Sequence, residues 1–98
     1  MNKVRIGGID YQVEIVPDLR DGDKKLDGWI KYRECIILID QSLCKQMVRQ
    51  TLLHEVIHGM VTTIGRDIDE DTVDALAHML LQVMRDNPEL VDWNGAVR

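Results

Sequence analysis

From Ile9 to Ile15 apolar and polar residues alternate without a break. Ile9, Tyr11, Val13 and Ile15 fall on one side and Asp10, Gln12 and Glu14 on the other, the two-residue period of a half-buried strand. Lys3–Ile6 has the same preference, and Gly7-Gly8 between the two segments suits a tight hairpin turn. Over residues 17–28 the pattern dissolves into a polar connection, most solvated at Arg20-Asp21-Gly22-Asp23-Lys24-Lys25. Residues 29–32 and 35–39 read as two further short strands, with Arg33-Glu34 between them as a hairpin turn. Ile36-Ile37-Leu38-Ile39 shows no alternation, so this strand is expected at the centre of the sheet with both faces covered.

After Asp40 the spacing becomes helical. Asp40 is a suitable N-cap for a helix over residues 41–64, which Gly65 would terminate. Asp69 is a second N-cap, because Ile68 before it and Val73 four after it are spaced as a hydrophobic staple. The helix that follows should end near Asp86, where Asn87-Pro88 stops it; the tail beyond, including Trp93, carries no readable pattern. The expected architecture is α+β: one domain over residues 1–98, an N-terminal sheet of about four short strands, then two packed helices.

Composition narrows the choice of partners. A formal charge of −5 and no evident Lys/Arg cluster argue against a nucleic-acid backbone as partner. The N-terminus, Met1-Asn2-Lys3-Val4-Arg5, has no apolar signal region, and no stretch has the length of a membrane span. A cytoplasmic protein is therefore expected, with Cys35 and Cys44 as reduced thiols. Their separation of nine residues matches no metal-ligand spacing, and Cys35 reads as a small buried hydrophobe.

The chemistry concentrates in His54-Glu55-Val56-Ile57-His58. Histidines four apart lie about 40° from each other around a helix and one turn along it, so both rings can reach one ion. Glu55 sits about 100° round from His54 and about 60° from His58, placed for a general base rather than a ligand. Leu52, Leu53, Val56, Ile57, Met60 and Val61 surround the three polar residues, which implies a buried helix. Burying two imidazoles and a carboxylate is costly unless they are paired or bind a metal. The pattern therefore reads as a Zn²⁺ hydrolase site; the alternative is a pair of satisfied core histidines beside a structural glutamate.

A catalytic zinc site needs a third protein ligand. The extension His-Glu-x-x-His-x-x-Gly-x-x-His is excluded, since Val61 and Ile64 stand where its glycine and last histidine belong. Acids downstream are Asp67, Asp69, Glu70, Asp71 and Asp74. On a helical wheel Glu70 shares the apolar face of Val73, Ala77, Leu81 and Met84, while Asp74 borders it on a shorter stem and is the main rival. A capping-box partner of Asp67 is the other role open to Glu70. His78 and Tyr32 are weaker candidates for steadying an oxyanion near the metal.

Leu52 to Gly59, Glu70 followed by Val73 and Ala77, and Gln82-Val83-Met84-Arg85-Asp86-Asn87-Pro88 together resemble a minimal gluzincin-type metallopeptidase. The resemblance is to small phage and prophage proteins related to the ImmA/IrrE family, over nearly the whole length. It implies a small zincin-like fold with Zn²⁺ held by His54, His58 and Glu70, and Glu55 as the base that activates water. The implied substrate is a peptide or protein, in larger members a bacterial repressor or other transcriptional regulator. A metal-stabilised module that binds a regulator without cleaving it is the rival expectation. No fourth ligand for a closed structural site stands out, which favours the enzyme.

Overall fold

The computed structural model describes residues 2–92 and is α+β, as the pattern predicts. Three hairpins come first: β1 (Lys3–Ile6) with β2 (Ile9–Val16), β3 (Arg20–Asp21) with β4 (Lys24–Lys25), and β5 (Gly28–Lys31) with β6 (Ile36–Asp40). The main sheet runs β1-β2-β6-β5, with β2 and β6 parallel and the other neighbours antiparallel. Then come α1 (Lys45–Thr63), α2 (Glu70–Asp86) and a 3₁₀ turn at Pro88–Leu90. Trp93 lies outside the described residues.

α1 is the shared wall of two apolar clusters. Val48, Leu52 and Val56, four apart, pack on Ile6, Tyr11, Ile30, Ile37 and Ile39 of the sheet. Leu53, Ile57 and Val61, the next stripe about 100° round, meet Val73 and Ala77 of α2, with Ile68 beside them. A helix that packs on both sides must be apolar on both sides, and this is why the motif run shows so little polar surface. α2 packs on α1 and on the 3₁₀ turn but, among the described residues, on no strand. Along one side of the helix pair Met60, Ile64, Leu76, Met79 and Leu80 are exposed.

The ends of the helices follow their local chemistry. α1 closes with Gly65 in the left-handed region at φ 72°, and the N–H groups of Gly65 and Arg66 bond to Thr62 O and Val61 O, each at 3.0 Å. α2 starts after Asp69, whose Oδ2 accepts the Thr72 N–H at 3.1 Å. Ile68 and Val73 share one cluster, as the staple spacing predicts.

Four expectations need correction. β6 is central, but of its four apolar residues only Ile37 and Ile39 are fully covered; Ile36 and Leu38, on the face away from α1, stay half-buried. Cys35 does not lead the strand: with φ 55° it closes a four-residue turn before Ile36, and it is half-buried against the core rather than fully inside. The polar connection is not bare loop, because β3 and β4 pair within it and Leu19 is 5 % exposed. Asp40 does not cap α1.

Asp40 continues the pairing of β6 with β2, opposite Val16, and its side chain is spent elsewhere. Oδ1 accepts the Leu19 N–H and Lys25 Nζ, both at 2.7 Å, and Oδ2 accepts the Ser42 N–H at 3.1 Å and the Ser42 hydroxyl. Lys25 foremost, then Ser42 and Leu19, hold its carboxyl well below the usual range against the opposing pull of burial. Because these bonds hold residues 40–42 to the strand end, α1 begins only at Lys45, with the exposed Cys44 at its N-cap position.

Candidate metal centre

His54 and His58 project from the third stripe of α1, between the α2 contact and the residues that face β5. Their rings stand 4.9 Å apart between centroids, tilted by 60°. Opposite them is Glu70, the first residue of α2, placed there by the Asp69 cap and by Val73 in the core. His58 Nε2 lies 2.9 and 3.0 Å from the two Glu70 oxygens, and His54 Nε2 lies 3.3 Å from each. One donor atom from each of the three falls within 4.8 Å of the others, so His54, His58 and Glu70 form a group that could hold a metal ion. Partial burial tends to raise the Glu70 pKa, but hydrogen bonds and charge from His58 and His54 outweigh this, and the net direction is down.

The capping-box role for Glu70 is not realised. The helix starts at Glu70 itself, and Asp67 Oδ1 accepts the adjacent Ile68 N–H at 3.0 Å. Asp74 meets the other side of the His54 ring, with Oδ1 3.4 Å from Nδ1. The two acids thus divide the imidazole: Glu70 faces Nε2 and Asp74 faces Nδ1.

Glu55 is 8 % exposed and points toward β5, where its Oε1 accepts the Ile30 N–H at 3.1 Å. Burial drives its pKa up; charge on His54 and His58 and the Ile30 bond pull it down without cancelling the rise. Gly28 makes this arrangement possible. A Cβ there would stand 2.5 Å from Thr51 Cγ2 and 3.2 Å from both Glu55 Cγ and Oε2. Thr51 and Glu55, four apart on the same stripe, can approach the strand only because the position lacks a side chain.

Gly28, Gln50, His54, Glu55, Glu70 and His78 are among the residues that line a cleft of about 370 Å³. His78 is therefore beside the centre. Tyr32 is not: its hydroxyl pairs with Thr62 Oγ1 at 3.1 Å and its ring packs edge-on to Tyr11, outside the cleft lining. Gln50 and Gly28 escaped the sequence reading. A usable signal for Gln50 was its position four before His54, on the same stripe; Gly28 gave none, since its role depends on which helix lies against β5.

Comparison with protein-family models, curated proteins and solved structures finds no match to this chain. Among the described residues, no helix is long and apolar enough to cross a membrane.

Proposed function

We propose that this chain is a zinc-dependent metalloendopeptidase, acting in the cytoplasm on a protein substrate such as a regulator and related to the phage and prophage proteins of the ImmA/IrrE type. The observation that carries the reading is the convergence of His54 Nε2, His58 Nε2 and the Glu70 carboxylate within 4.8 Å, with the buried carboxylate of Glu55 beside them. Two imidazole nitrogens and one carboxylate oxygen suit Zn²⁺ and leave a coordination position open.

When bound there, Zn²⁺ would supply Lewis-acid polarisation of the scissile carbonyl and acidify the attacking water. Glu55 takes the proton. Its Oε1 is engaged by Ile30, so Oε2 receives the proton from water as the oxygen attacks the carbonyl carbon. The same carboxyl then delivers it to the leaving nitrogen, giving a free amine and a new carboxyl group. Asp74 Oδ1, 3.4 Å from Nδ1, sets a negative charge behind the His54 ring, whose Nε2 faces Glu70.

One observation favours the rival, a metal-stabilised module that binds its partner without cleaving it: the Ile30 bond gives Glu55 a structural employment as well. Elemental analysis of purified protein, paired with cleavage of a fluorescence-quenched peptide library by wild type and Glu55→Gln, separates the two. The peptidase reading expects one zinc per chain in both proteins and cleavage by the wild type alone. Metal-free wild type whose melting is unchanged by added zinc would defeat it, and equal cleavage by the Gln variant would remove Glu55 from the chemistry.

A further inference from the structure

Gln50 lies one helical turn before His54, so Gln50, His54 and His58 form a single stripe on α1. It is only 6 % exposed, and its Nε2 has no hydrogen-bond partner among the described residues. A buried amide donor left unpaired opposes folding, and native proteins rarely keep one without a use.

Its location indicates the use. Gln50 lines the metal cleft and also an adjoining cavity of about 150 Å³, and the two share Met47, Gln50 and His78. The second cavity continues between α1 and α2 to Gln82 and Arg85. A chain-like ligand with one group at the three donor atoms, extending in that direction, meets Gln50 next. The amide then needs an acceptor oxygen at that point, and a peptide offers one at every residue as its backbone carbonyl. The terminal amide turns about a broad last torsion, so its donor can be presented without any shift of the helix.

We propose that Gln50 is a substrate-binding residue whose Nε2–H donates to the backbone carbonyl of a peptide residue next to the cleaved bond, on the side that runs toward Gln82 and Arg85. The inference rests on the peptidase reading and adds to it a residue that holds the peptide backbone and the direction of the peptide in the cleft.

The test uses the zinc-loaded full chain and three probes. Acetohydroxamate reaches the metal alone; acetyl-Leu-Leu hydroxamate and the hydroxamate of succinyl-Leu-Leu amide add peptide carbonyls on one side or the other. Gln50→Leu should bind acetohydroxamate as the wild type does and lose about tenfold in affinity for one of the two peptide probes. Without ligand it should melt above the wild type, because an unpaired buried donor has been removed. Gln50→Met, which keeps the side-chain length, guards against a packing failure and should repeat both results. Equal affinity of wild type and both variants for both peptide probes overturns the assignment of Gln50 alone. Failure of acetohydroxamate to bind the zinc-loaded wild type overturns the metal site as well.

Discussion

Glu55 Oε1 accepts the Ile30 N–H at 3.1 Å, which fastens the middle of the motif helix to the edge strand β5. The bond separates two substitutions usually treated as equivalent. Glu55→Gln keeps an acceptor for Ile30, whereas Glu55→Ala leaves that N–H buried without a partner and should cost about 1–3 kcal/mol. Burial raises the Glu55 pKa in the folded chain, so its contribution is complete below about pH 4 and is lost as pH climbs through the raised value. In EDTA, thermal melting of Glu55→Gln should match the wild type at about pH 4 and exceed it near neutrality. A Gln variant that melts lower at neutral pH would contradict this.

Glu70 and Asp74 should differ in kind when mutated. Glu70→Ala removes a donor atom and should weaken zinc binding by more than about 100-fold; Asp74→Ala removes only the group behind His54 Nδ1 and should cost about 10–100-fold. Competition with a fluorescent chelator measures both. The reverse order would make Asp74 the ligand.

Gly28→Ala should destabilise the protein by about 1–3 kcal/mol through the forced contact with Thr51 Cγ2. Thr51→Ser deletes that methyl while keeping the hydroxyl. In a double-mutant cycle read by urea denaturation, Gly28→Ala should therefore cost less than half as much in the Thr51→Ser background. Additive effects would mean that the crowding lies elsewhere.

Asp40→Asn should lower the melting temperature at neutral pH, since Lys25 loses its buried counter-charge. Because the folded pKa of Asp40 is depressed, its stabilisation is complete above about pH 5 and drains away as pH falls below about 4. The gap between wild type and variant should therefore narrow steadily on acidification. A gap independent of pH would assign the effect to packing.

What could be read in the chain was what local geometry controls. The four-residue step from His54 to His58 works on any helix, and Glu70 shares a face with Val73 and Ala77 wherever α2 packs. Asp40 misled because capping preference is local, while two of its real partners, Leu19 and Lys25, are 21 and 15 residues away. The wheel placed Asp74 at the border of the apolar stripe but could not say which nitrogen of His54 it would meet, since that depends on how two helices cross. The β3–β4 pairing was hidden inside a run of charges whose solvation is the stronger local signal.

Among the described residues α2 packs on α1 and on no strand, yet it carries one of the three donor atoms. The centre is therefore divided between a part of the chain anchored in the sheet and a part that can detach by a local opening short of global unfolding. Hydrogen exchange of the metal-free protein should reflect this division, with α2 amides such as those of Val73 and Ala77 exchanging well ahead of Ile37 and Ile39 in β6. An ion held by Glu70 and the two histidines would act as a clasp, so added zinc should slow exchange in α2 far more than in the sheet. Uniform slowing across both would mean that the helix pair and the sheet open only together.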